Sequence, residues 1–209
     1  MKMYKKQIFL TTLITLLPIA VGLLLWNQLP EQIATHFSMN GTPDGWSSKA
    51  FAVFGLPLLL AGVHLICIVA TLNDPKKQNI GKKMLTLVFR IIPVLSCVVN
   101  GSVYALALGV PVTIASLTYV LIGFSFLFLG NYMPKNHQNY TVGIRLPWTL
   151  NSKENWNRTH RFASRLWMVA GIVIILNGLF QFTWLLLPVI LVVVALPMFY
   201  SFMLHKKGI

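Results

Sequence analysis

Acidic residues are nearly missing from this sequence: 4 Asp and Glu stand among 209 residues, against 17 Lys and Arg, and only 10% of the chain is charged. A soluble domain carries about a quarter charged residues, so the shortage argues against a soluble globular fold. The four acids, Glu31, Asp44, Asp74 and Glu154, all fall between the apolar runs. Runs without a carboxylate disfavour proton-driven transport, which uses ionisable groups inside the bilayer. They also leave no HExxH or glutamate-rich site for a membrane protease. Cysteine is equally scarce. Cys67 and Cys97 sit mid-run without a CxxC spacing, which reads as buried apolar cysteine rather than a disulfide framework.

What is present is hydrocarbon. The chain is 56% hydrophobic with a mean hydropathy of +0.71. Six runs, approximately 8–27, 51–72, 84–108, 113–133, 163–181 and 184–204, reach the roughly 20 residues needed to cross a bilayer as helix. They are continuously apolar rather than alternating, which excludes a transmembrane β-barrel. The expected fold is an all-α integral membrane protein, a six-transmembrane-helix bundle. It divides into an N-terminal two-span unit, 1–72, with an extracellular loop at 27–50, and a four-span unit, 73–209, with a cytoplasmic loop at 134–162. The first run leads into Asn27-Gln28-Leu29-Pro30 without a small-x-small cleavage site, so it reads as a span and not a signal peptide.

The bases fix an orientation. With the N-terminus inside, fifteen of the seventeen, from Lys2 to Lys207, fall on the inner side; Arg90 lies about two turns into the third run and Lys49 faces outward. Basic loops stay in the cytoplasm, so both termini are expected inside. The net charge of +13 then expresses topology and attraction to anionic lipid, and not direct nucleic-acid binding.

Two connections are too short to do more than turn, and Gly101, Ala105 and Gly109, spaced by four, are expected to let a neighbouring helix approach closely. Asn100, Asn177 and Gln181 read as interhelical hydrogen-bonding groups. Function is sought in the two long connections. The outer one carries Glu31, His36 and Asp44 around the turn-rich Asn40-Gly41-Thr42-Pro43-Asp44-Gly45, which can fold histidine and carboxylate together. Either a hydrogen-bonded loop lock or a site for a metal or extracellular ligand fits that pair.

In the inner connection, Pro147 and the following Trp148-Thr149-Leu150 read as extended or turn. Asn151, three residues before Glu154, resembles a capping pair opening a helix near Ser152 or Lys153. On that helix Arg158, Arg161 and Arg165 form one stripe, and Trp156, His160, Ala163 and Trp167 a second. An interfacial anchor, arginines toward phosphates and tryptophans at headgroup depth, accounts for both.

Two sets of residues resemble known families. Leu29-Pro30, Ile33, His36-Phe37, Gly41, Asp44 and Lys49 resemble a short N-terminal membrane domain of unknown function. Gly130-Asn131, Asn139, Gly143-Ile144-Arg145, Pro147-Trp148-Thr149-Leu150, Trp156 and His160-Arg161-Phe162-Ala163 resemble the SdpI family of membrane immunity proteins. The resemblance implies protection of the producing cell from a secreted antimicrobial peptide toxin. It also implies a receptor role, in which toxin occupancy holds a small DNA-binding repressor at the membrane. On that reading Glu31, His36, Gly41, Asp44 and Lys49 sense toxin. Asn139, Gly143, Arg145, Pro147, Trp148, Thr149, Trp156, His160 and Arg161 form the cytoplasmic motif that binds a partner, with no catalytic residue, cofactor or metal. The alternative is a membrane enzyme or transporter using Arg145, Glu154, His160 and Arg161 at the cytoplasmic face, where they would bind a lipid phosphate and move a proton.

Overall fold

The computed structural model describes residues 4–209; Lys2, counted among the inner bases, lies outside them. Six of its helical segments are long and apolar enough to cross a membrane: Lys5–Leu24, Phe51–Leu72, Lys82–Ala107, Ile114–Lys135, Lys153–Phe180 and Thr183–Lys206. The elements run α1 (Lys5–Leu24), β1 (Gln32–Phe37), β2 (Pro43–Ser48), a π-helical turn (Phe51–Gly55), α2 (Leu56–Leu72), α3 (Lys82–Ala107), α4 (Ile114–Tyr132), α5 (Pro147–Asn151), α6 (Lys153–Phe180) and α7 (Thr183–Lys206). Two compact units emerge. One takes the described residues to Val69 together with Val88–Leu117, the other Ala70–Leu87 with Thr118–Ile209.

In the first unit, a hydrocarbon core of Leu29, Ile33, Ala52, Val53, Val103 and Tyr104 closes beneath the β1-β2 hairpin. Pro18 lacks the N–H that would bond Ile14, four residues back in α1. The Ile14 carbonyl instead receives the Cys97 thiol at 3.5 Å, and the neighbouring Thr15 carbonyl receives the Ser96 hydroxyl at 2.7 Å. Tyr104 donates to the Pro18 carbonyl at 3.2 Å. A proline-containing helix in hydrocarbon survives when neighbours satisfy the backbone it exposes; here α3 supplies the donor to the freed Ile14 carbonyl and two more to carbonyls beside it.

The close approach expected at Gly101 and Gly109 is absent: a Cβ built at either meets nothing within 4 Å among the described residues. It occurs elsewhere. A Cβ at Gly22 would stand 2.8 Å from the Val53 side chain, and in the second unit one at Gly123 would stand 2.7 Å from the Gly171 carbonyl. Asn100 likewise bonds back to Ser96 of its own helix. Asn177 closes the α6-α7 turn through Phe182, accepting its N–H at 3.1 Å. Local carbonyls and amides one turn away outcompete distant partners.

The second unit is built on the antiparallel pair α6 and α7, joined at Gln181, whose φ of 55° turns the chain. The cap of α6 is Ser152, which accepts from the Asn155 N–H at 3.2 Å, and not Asn151. Pro147 to Asn151 is one helical turn and not extended chain. Pro147 stands at the first helical position, where a missing N–H costs nothing, and Thr149 returns its hydroxyl to accept the Leu146 N–H at 2.8 Å.

Candidate functional site

The connection between α4 and α6 is held by buried polar side chains acting on its backbone. Asn136 accepts from the Gly81 N–H at 2.9 Å and donates to the Tyr132 carbonyl at 3.1 Å. Gln138 donates to the Thr149 and Leu150 carbonyls at 2.8 and 3.1 Å. Asn139, fully buried, accepts from the Thr141 and Val142 N–H groups at 3.0 and 2.7 Å. A buried backbone group left unpaired costs about 1–3 kcal/mol, so each amide side chain replaces a ladder that this irregular segment lacks.

Asp74 completes this set. It is buried and accepts from the Lys76 N–H at 2.7 Å, the Tyr140 N–H at 2.8 Å and the Thr141 hydroxyl at 2.6 Å. The Lys76 ammonium sits over the Tyr140 ring, 5.1 Å from its centre. Asp74, Asn136 and Gln138 are absent from the motif residues expected above. The signal for Asp74 was its position as the one acid in a basic connection.

His160 lies under the Gly143-Ile144 turn. Its Nδ1 pairs with the Trp156 carbonyl at 2.7 Å and its Nε2 accepts from the Ile144 N–H at 2.9 Å. This arrangement fixes the neutral tautomer with the proton on Nδ1. The imidazole stacks on Trp156, centroids 4.0 Å apart, and Trp156 donates to the Asn136 carbonyl at 2.9 Å. Gly143 has φ of 128°, and a Cβ there would run into His160 Nε2 and stand 3.0 Å from the Trp156 ring. Only glycine fits both the backbone and the space.

Trp148 donates to the Ser201 hydroxyl at 2.8 Å and stacks on His205. Ser201 in turn donates to Asn155, whose amide returns to the Ser201 carbonyl. The structure therefore separates the motif into two sets. Asn139, Thr149, Trp156 and His160 are buried and Trp148 half-buried, whereas Gly143, Arg145, Pro147 and Arg161 are exposed. The second α6 stripe faces the protein: Trp156 is fully buried, and Trp167, half-buried, donates to Val193. These tryptophans therefore pack against protein rather than standing free on the helix surface. Arg145 donates to the Tyr140 carbonyl at 2.6 Å, and Glu154 pairs with Arg158 at 2.5 Å. Of the residues in the alternative enzyme set, His160 has both nitrogens engaged by backbone groups and Glu154 is paired with Arg158.

In the other unit, the outer connection folds as an antiparallel hairpin rather than as turns alone, with Gln32 opposite Ser48 and a bulge at Thr35. His36 and Asp44 meet across it at 2.6 Å, both exposed. Gly41, φ 84°, lies against Ala115, where a Cβ would stand 2.9 Å from the backbone nitrogen. Lys49 is buried: its ammonium donates to the Trp26 carbonyl at 3.2 Å and pairs with exposed Glu31 at 2.8 Å. So the hairpin brings His36 and Asp44 together and, at its base, Glu31 and Lys49. Among the described residues no three His, Cys, Asp or Glu side chains gather as metal ligands.

Comparison with known proteins matches residues 135–201 to the SdpI/YfhL protein family and residues 13–61 to a domain of unknown function, DUF1648. The chain is 28% identical, over 90% of its own length and 89% of the other, to a Bacillus subtilis (strain 168) protein named Immunity protein SdpI. No solved structure matches it. The family match spans the motif loop and most of the α6-α7 pair that anchors it, so this part of the chain is similar to the SdpI/YfhL family, and the six long apolar helices make the chain a multi-pass membrane protein.

Proposed function

We propose that this protein is an immunity protein that protects its own cell from a secreted antimicrobial peptide toxin. The observation that carries the reading is likeness along nine-tenths of the chain to a protein named for immunity. In this proposal both termini are cytoplasmic. The hairpin presents Glu31, His36, Gly41 and Asp44 to the toxin outside, with Lys49 bracing its base. The connection between α4 and α6 is the cytoplasmic readout, with exposed Arg145 and Pro147 offered to a small DNA-binding repressor. Toxin must favour one arrangement of that connection over another, since equal affinity for both shifts no population.

Expression in a toxin-sensitive bacterium tests protection: survival is expected, and undiminished killing by every related toxin sinks the reading. The receptor role is tested separately, by co-sedimentation of the repressor with membranes. Arg145→Ala is expected to abolish co-sedimentation at unchanged protein abundance, and retained co-sedimentation counts against it.

A further inference from the structure

The exposed face of α6 changes character along its length. Arg161 and Arg165, one turn apart and both exposed, are followed on the same face by Val169, Ile172 and Leu176, which are 61%, 51% and 51% exposed. At 100° per residue these positions share an arc narrower than a right angle. All four carboxylates of the chain are engaged elsewhere: Glu31 by Lys49, Asp44 by His36, Glu154 by Arg158, and Asp74 by backbone and Thr141. Among the described residues neither Arg161 nor Arg165 has an acidic partner.

We infer that this face holds an anionic phospholipid of the surrounding membrane, with its phosphate on Arg161 and Arg165 and an acyl chain along Val169, Ile172 and Leu176. Two guanidinium groups one helical turn apart reach a single phosphate, and each donates in a planar fork suited to its oxygens. An unopposed pair of positive charges repels the ammonium of a zwitterionic headgroup, which selects lipids of net negative charge. The apolar continuation distinguishes a lipid from a soluble acidic protein, which has no use for three exposed hydrocarbon side chains below the arginines. This assignment takes Arg161 away from the partner-binding motif residues and does not rest on the immunity reading.

The test uses the full chain in nanodiscs of phosphatidylcholine with and without phosphatidylglycerol, with bound lipid counted by native mass spectrometry after transfer to detergent. The wild type is expected to retain phosphatidylglycerol over phosphatidylcholine and to keep it in excess inorganic phosphate. Each basic residue near an anionic surface contributes a factor of about five, so Arg161→Gln with Arg165→Gln should lower the preference roughly thirtyfold. Should the double variant not fold, each single variant is expected to lower it about fivefold. Equal retention of the two lipids by the wild type, displacement by inorganic phosphate, or an undiminished preference in the folded variants would overturn the inference. A chain that protects cells without any lipid preference would overturn it and leave the immunity proposal intact.

Discussion

The indole of Trp167 donates to the Val193 carbonyl at 3.0 Å, the acceptor that Pro197 leaves without a backbone partner four residues on. The same solution recurs in the first unit, where Cys97 donates to Ile14, the carbonyl orphaned by Pro18. In both, a side chain of a neighbouring helix replaces a donor that proline cannot provide.

Trp167→Phe should therefore destabilise the protein by about 1 kcal/mol, the scale of interhelical hydrogen bonds in membranes. Pro197→Ala restores the missing N–H and should reduce the cost of Trp167→Phe. A double-mutant cycle measured by denaturation in detergent checks this, and additive costs for the two changes would refute the pairing.

Gly143→Ala should cost about 2 kcal/mol or more, because φ of 128° is strained for alanine and the new methyl drives against His160 and Trp156. Faster hydrogen exchange at the Ile144 amide, whose proton goes to His160, is the direct readout. An unchanged exchange rate would mean the turn tolerates the methyl.

Asp74→Asn preserves shape but points an amide donor at N–H and O–H groups that need an acceptor. The expected cost is about 1–3 kcal/mol. The Tyr140–Arg145 stretch should become sensitive to limited proteolysis, and a cleavage pattern like that of the wild type would show that Asp74 does not secure it.

His36→Ala and Asp44→Asn should each change stability by no more than about 0.5 kcal/mol, since the pair is exposed and screened. If the hairpin meets the toxin, either change lowers survival in a toxin challenge at equal protein abundance. Full protection by both variants would remove the pair from the toxin-sensing set.

Orientation is checked by labelling with a membrane-impermeant thiol reagent in intact cells. Asp44→Cys should label from outside and Lys83→Cys only after permeabilisation; the reverse pattern would invert the topology expected from the bases.

The sequence alone determined where the six spanning helices lie along the chain, though not the short helix Pro147–Asn151. Hydropathy and length decide whether a segment can leave water, and those are properties of consecutive residues. It also located the His36-Asp44 pair, because the intervening turn residues constrain so short a segment, although the pleated pairing and the burial of Lys49 went unread. The two stripes on α6 were visible from periodicity, but not which of them the protein would bury. A tryptophan and a histidine suit a membrane interface and a packed core equally well. Only the tertiary fold, by bringing the Asn136 carbonyl to Trp156 and the Ile144 N–H to His160, turned that stripe inward. The same holds for Asp74, whose value as an acceptor depends on donors 66 and 67 residues away in sequence. Hydrogen-bond partners at such separation are fixed by packing, which no local pattern encodes.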